Sequence, residues 1–251
     1  MTSFLLITLY APLASWGDIT VGERRTSWER PSRSALLGLM AAALGLTRDD
    51  QDGHDALDTG YGVAVRIDAP GRTAMDYHTA QSLPQSEIKR AKPATRREMM
   101  RHGAQQNRLE TILSTREYRA DAAYTAAIWA RDDARWPLPA LCAALQAPGF
   151  TLYAGRKAHV LAWPLQPTIV EAATLAGALA RRPALDDGPI LAALRPPSGP
   201  QSVSCDADFG IVRGLAAERI ERRRDAQAHR SRWQFAERRV ITGLMPLEPG
   251  P

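Results

Sequence analysis

Cysteine is almost missing from this chain: Cys142 and Cys205 are its only two. Two distant thiols form neither a disulfide framework nor a zinc-binding pattern, which excludes a disulfide scaffold and a structural zinc fold. Cys142 lies in the apolar run PLPALCAALQAPG and reads as a small core residue, and the chain is expected to be cytoplasmic. Glycine-rich phosphate loops, GxSxG, HExxH and CxxC are also lacking. The five histidines, at 54, 78, 102, 159 and 229, never meet at metal-ligand spacing, so no metal or cofactor is expected. A long hydrophobic span is absent too. MTSFLLITLYAPLASWG has no basic residues ahead of a short apolar run, and reads as a buried strand rather than a signal peptide or membrane span. No internal repeat or low-complexity tract appears.

What is present is a core and an excess of arginine. Hydrophobic residues make up 45% of the 251, enough to bury a sizeable core, and exclude wholesale disorder. The formal net charge is +5; of the 32 basic residues only Lys89, Lys92 and Lys157 are lysine. High-GC coding accounts for such a bias as readily as function does. The functional reading is that planar guanidinium groups pair with phosphates and stack on bases. A basic balance points to nucleic acid or an anionic surface.

Along the chain, SFLLITLY (3–10) is an unbroken apolar run and predicts a central strand. SALLGLMAAALGL predicts a buried helix, with Ser32 or Ser34 as its cap and Gly45 near its end. GVAVRID (62–68) alternates as a strand; DAAYTAAIWA (121–130) is a strand candidate whose alanines leave helix open. PLPALCAALQ (137–146) begins as helices do, and FTLYAGR (150–156) reads as a strand. The order is βαββαβ with a long basic insertion: an α+β, ferredoxin-like arrangement. Beyond residue 160 the pattern weakens. EAATLAGALARR (171–182) predicts a helix and PPSGPQ (196–201) a loop.

Three features carry candidate chemistry. In IKRAKPATRREMMRHG (88–103), Lys89, Arg90, Lys92, Arg96, Arg97 and Arg101 stand against one acid, Glu98. Charge runs are commonly solvated helix faces, yet compensating i,i+4 acids are lacking here and Pro93 breaks any helix. An exposed loop or hairpin of this kind, held open by like charges, suits a phosphate clamp. Met99 and Met100 either wedge against a base or pin the segment to the core. Second, Arg24, Arg25, Arg30 and Arg33 precede the buried helix, and Arg33 and Ser34 at its mouth make a phosphate seat. The competing reading pairs these arginines with Glu23, Glu29, Asp49 and Asp50. Third, in MDYHT (75–79), Tyr77 can stack on a base and His78 can bond one, or both are structural.

ASWG (14–17), RPSRSALLGLMAAALGLTRDD (30–50), DYHT (76–79), TREYRADAAYTAAIWA (115–130), LYAGRK (152–157) and RWQFAERRV (232–240) fall in an order that resembles CasD-type proteins. These are the crRNA 5′-handle-binding subunits of the type I-E CRISPR Cascade complex, members of the RAMP superfamily. The likeness covers most of 3–157 and resumes near 232–243, with 165–230 unplaced. It implies a ferredoxin-like, RNA-recognition-type domain over 1–160 with a thumb at about 80–110, and a C-terminal region over 161–251 with a helix and short strands. It also implies a non-catalytic subunit that caps the crRNA 5′ handle and touches a CasC-type backbone subunit and a CasA-type large subunit. Target DNA is met only indirectly, and no membrane is involved. The RNA-binding set so implied is Arg24, Arg25, Arg33, Tyr77, His78, Lys89, Arg90, Lys92, Arg96, Arg97 and Arg108, with Arg156 and Lys157 on the returning segment; Trp16 packs beside it. The alternative is a metal-independent endoribonuclease processing precursor crRNA, as in type I-C relatives, with Tyr77, His78 and Lys89 or Lys92 as acid, base and phosphate cation. A scaffold protein with acidic protein partners ranks below both.

Overall fold

A computed structural model describes residues 1–17, 22–132, 134–182, 194, 199–207, 210–229, 232 and 234–246. Strand β1 (Thr2–Ala14) has a strand on either side of it and is buried from Phe4 to Ala11. An uninterrupted apolar strand needs cover on both faces, and it has it. Leu5, Ile7 and Leu9 pack with Leu36, Leu37 and Met40 on one face; Phe4 and Leu6 pack with Trp129, Leu175 and Leu179 on the other.

The helix α1 (Arg33–Ala43) starts where predicted. Ser32 is the N-cap, its hydroxyl accepting from the Ala35 N–H at 3.2 Å, and Gly45 leaves the helix at φ +73. A second helix, α2 (Gln51–Gly60), follows, capped by Asp50. Its sequence QDGHDALDTG carries two glycines and one large apolar residue, so periodicity gives no sign of it. Burial of Leu57 and His54 fixes it.

Strand β5 (Tyr61–Ala69) and the long β7 (Glu110–Ala130) are antiparallel partners, and residues 119–128 of β7 also pair with β1. The alanines of 121–130 are compatible with helix in isolation; flanking strands on both sides make them strand. After α5 (Leu138–Gln146), the strand expected at 150–156 does not form, and only a bridge between Tyr153 and Val160 is present. Gly155 turns at φ +85 with its Cα so close to the Ser15 carbonyl that a Cβ would lie 1.9 Å away, so this segment is a tight loop against the end of β1. The place beside β1 goes to β8 (Thr168–Ala172), which takes the first residues of the helix expected at 171–182 and leaves α6 (Leu175–Ala180).

Strands β9 (Ser202–Asp206), β10 (Ala216–His229) and β11 (Gln234–Leu244) complete one mostly antiparallel sheet in the order β10-β11-β9-β5-β7-β1-β8. The fold is thus a mixed α/β structure. Residues 196–198 of the expected loop and Trp233 of the expected C-terminal strand lie outside the described residues.

Two buried ionic networks tie the layers. Arg66 donates to Asp68 at 2.6 Å and to the Leu179 and Arg182 carbonyls, joining α6 to the sheet. Arg33 is paired with Asp206 and Asp58, and Arg238 with Asp206 at 2.5 Å and Asp225 at 2.6 Å. Burial pushes Asp206 up, and the Arg33 and Arg238 guanidinium groups pull against it. Burial pulls Arg238 down, but the Asp206 and Asp225 carboxylates outweigh it and hold the guanidinium above its usual value.

Candidate nucleic-acid interface

The outer part of β7 leaves the core and pairs with β6 (Arg72–Ser82), Ser82 opposite Glu110 and Arg72 opposite Ala120. Two-residue strands β2 (Trp16–Gly17) and β4 (Ser27–Trp28) pair with each other, and between them in sequence β3 (Arg24–Arg25) lies parallel on the other side of β7 at Thr115 and Arg116. The result is an arm. At its far end stand α3 (Gln85–Ala91) and α4 (Arg96–Gln105). The expected open loop is therefore a helix–turn–helix tip. Lys92 closes α3 in the left-handed region at φ 43, Pro93 separates the helices, and the Thr95 hydroxyl caps α4 by accepting from the Glu98 N–H at 3.2 Å. Met99 is buried and Gly103 lets Leu109 approach to 2.3 Å from where a Cβ would stand, so packing rather than charge repulsion shapes the tip.

The cations divide into engaged and available ones. Glu87, buried, binds Arg90 at 2.6 Å and Arg108 at 2.9 Å, which fastens α3 to the start of β7. Arg96 donates to the Gln81 carbonyl at 3.1 Å. Among the described residues Lys89, Lys92, Arg97 and Arg101 are exposed and form no ion pair. At the base, Arg24 is paired with Glu117 at 2.5 Å, and the exposed Arg25 donates to the Gly22 carbonyl at 3.1 Å.

Tyr77 and His78 are neighbours on β6 and so point to opposite faces. Tyr77 is 66% exposed. His78 shares its face with Arg116, next to Asp76 at 3.3 Å and at the outer limit of hydrogen bonding, 3.5 Å, from the Tyr118 hydroxyl. Arg156 lies 4.9 Å over the Tyr118 ring and His159 meets that ring edge-on at 5.3 Å; Lys157 is exposed beside them. Burial lowers the His159 pKa from 6.5, so this ring stays neutral, with Nδ1 lacking a hydrogen-bond partner. Tyr118 and Arg116 were not singled out in the sequence; the alternation of TREYR across a ribbon, placing both on the His78 face, was the available signal.

The phosphate seat expected at the mouth of α1 is taken. The Arg33 N–H donates to the Asp225 carboxylate at 2.9 Å, and the Arg33 side chain is buried among Asp206, Asp58 and the Tyr61 carbonyl. Arg33 is a structural ion, not an exposed contact. Arg30 is likewise buried, against Glu29 and Trp28. Trp16 is a packing residue, 1% exposed and edge-on to Tyr124, whose hydroxyl burial pushes up to about 12. No group of three or more metal-ligating side chains occurs among the described residues, and no described helix is long and apolar enough to cross a membrane.

Residues 4–241 match the family CRISPR-associated protein (Cas_Cas5). The chain belongs to this family. It is also similar to the CRISPR system Cascade subunit CasD of Escherichia coli (strain K12), 33% identical over 173 residues, 66% of this chain and 70% of the relative. A solved structure described as a crystal structure of Cas protein superposes with a TM-score of 0.64 at 27% identity, covering 99% of this chain and 97% of the other. A chain of a CRISPR RNA-guided surveillance complex superposes with a TM-score of 0.60 at 22% identity, covering 96% and 90%. This Cas_Cas5 family member is a CasD-type Cascade subunit. The family match spans 165–230, where the sequence offered no resemblance; that stretch supplies β8, α6, β9 and β10.

Proposed function

We propose that this chain is the non-catalytic subunit that caps the 5′ handle of crRNA in a type I-E Cascade complex, and that its arm is the thumb. In this reading β8-β1-β7-β5, all antiparallel, are the four strands of a ferredoxin-like unit, with α1 and α5 as its helices. The observation that carries it is the helical arm tip with four cations, Lys89, Lys92, Arg97 and Arg101, that form no ion pair among the described residues and stand far along a ribbon from the core. Phosphates of a single strand neutralise such a group and release counterions. Tyr77 offers a stacking face, and Arg25, Arg116, Lys157 and His78 continue the basic track toward the base. A backbone subunit would meet the arm, and a large subunit the body of the fold.

Acid–base cleavage gains no support. It would need Tyr77 and His78 to converge on one phosphate, and they face apart; Ser82, the last strand residue before α3, already stands about 13 Å beyond His78 at the usual rise per residue. Handle RNA affinity in the assembled complex is measured against salt. It should fall steeply, and the slope should drop by roughly one unit for each of Lys89, Lys92 and Arg97 replaced by Ala. RNA affinity that is negligible at low salt while the complex assembles would sink the reading. So would site-specific cleavage of repeat RNA in EDTA that His78→Ala abolishes.

A further inference from the structure

The arm joins the body through a bent joint. Along β7, β1 stays paired only as far as Ala14 opposite Arg119. From Tyr118 outward β7 is held by β6, with β3 touching it only at Thr115 and Arg116. Beside that point the backbone passes twice through the left-handed region, at Gly71 with φ +60 and at Asp121 with φ +56. A Cβ on Gly71 would lie 2.3 Å from the Ala120 carbonyl oxygen, so the two strands approach closely there. The register of β5 on β7 also slips between Ile67 and Ala69. Irregularities of this kind bend a strand pair, and a two-stranded ribbon is marginal on its own. Ala74 stands opposite Tyr118, and Ser82 lies further along β6, about 27 Å away at the usual rise per residue. A tilt of about 10° at the joint would move the far end of the ribbon by about 5 Å.

One side chain ties the ribbon to the body. Tyr118 is the outermost buried residue of β7, 8% exposed, and β6 has no buried residue. Its ring is gripped from the loop 153–160 and not from the ribbon: the Arg156 guanidinium lies over its face and the His159 ring meets its edge. That loop is itself tied to the end of β1. The Ser15 N–H donates to the Ala154 carbonyl at 3.1 Å, the Ala154 N–H to the His159 carbonyl at 2.8 Å, and the His159 N–H to the Arg156 carbonyl at 2.8 Å. Gly155 seats against the Ser15 carbonyl. Face and edge contacts to one ring depend on direction as well as distance, so together they select one orientation of Tyr118 and with it one course of β7. We propose that the loop 153–160 is a brace that sets the angle of the arm, and that Tyr118 is the positioning residue through which it acts. A preset arm meets its partner without first giving up the freedom of the joint. The RNA-binding reading assigns the arm a ligand; the brace assigns it a posture, and neither depends on the other.

The test is a distance measurement on the full chain by pulsed electron paramagnetic resonance. Nitroxides are attached through p-acetylphenylalanine at two exposed positions, Gln105 on the tip and Asp52 on α2. The parent chain should give one narrow distance peak. Tyr118→Phe loses the hydroxyl, keeps the ring and should keep that peak. Tyr118→Ala and Arg156→Gln should each spread the peak by several ångströms. Gly155→Ala leaves the arm untouched but drives the loop off Ser15, because its Cβ would lie 1.9 Å from that carbonyl oxygen; it should shift or spread the peak as well. Hydrogen exchange along the β6–β7 ladder separates tilting from melting. In Arg156→Gln and Gly155→Ala the ladder amides should stay as protected as in the parent. A parent peak that is already broad overturns the brace. So does a peak left unchanged by Tyr118→Ala, Arg156→Gln and Gly155→Ala while the thermal midpoint drops, which would make Tyr118 a packing residue only. Spreading that comes only with loss of ladder protection overturns it too. RNA affinity enters none of these outcomes, so the brace and the RNA-binding reading stand or fall separately.

Discussion

At the scale of single residues, charge in the sequence and charge available to a ligand are different quantities. Arg33 and Lys92 mark the two extremes. Arg33 satisfies two carboxylates and backbone carbonyls inside the fold, and removing one partner of a buried ion pair leaves the other uncompensated. Arg33→Ala should cost about 3–5 kcal/mol in chemical denaturation. Lys92 holds a left-handed conformation at φ 43 that glycine adopts more easily. Lys92→Gly should leave stability equal or raise it by up to about 1 kcal/mol while weakening RNA binding. A matched loss of both would mean that Lys92 is structural. His159 supplies a pH dependence. Its folded pKa lies below 6.5 because burial disfavours the charged ring. The unfolded chain therefore binds more protons as pH falls through 6.5, and stability declines there until the folded ring also protonates. Thermal midpoints should fall on acidification across that window, and His159→Phe should flatten that decline.

At the scale of elements, the arm decides most. Its strands, β6 and the outer part of β7, fall in the stretch expected as a basic insertion and were not anticipated, and the tip, expected as an open clamp, is two helices. The reason lies in Glu87, Met99 and Gly103, which no local charge count weighs. Glu87 gathers Arg90 and Arg108, and Met99 and Gly103 dock α4 on the ribbon. Glu87→Gln should loosen α3 from β7, visible as faster protease cleavage within 84–95 with the core's unfolding midpoint nearly unchanged, since few core contacts are involved. The failed strand at 150–156 has the same origin: Gly155 is fixed by a carbonyl of Ser15, distant in sequence.

At the scale of the whole molecule, the C-terminal hairpin is locked to the first helix through Asp206, Asp225, Arg33 and Arg238. Arg238→Ala should lower stability by about 3–5 kcal/mol, read by denaturant titration, because Asp206 and Asp225 lose a shared cation. The sequence alone determined the buried central strand, the capped first helix and the family, since unbroken apolar runs, capping residues and ordered motifs are local properties. It also located the basic insertion. Only the tertiary structure decided which arginines face solvent, which strand lies beside β1, and that Tyr118 and Trp28 meet their partners. Those outcomes depend on contacts between residues tens to nearly two hundred positions apart, and whether a cation meets a carboxylate or water is settled only when the chain has packed.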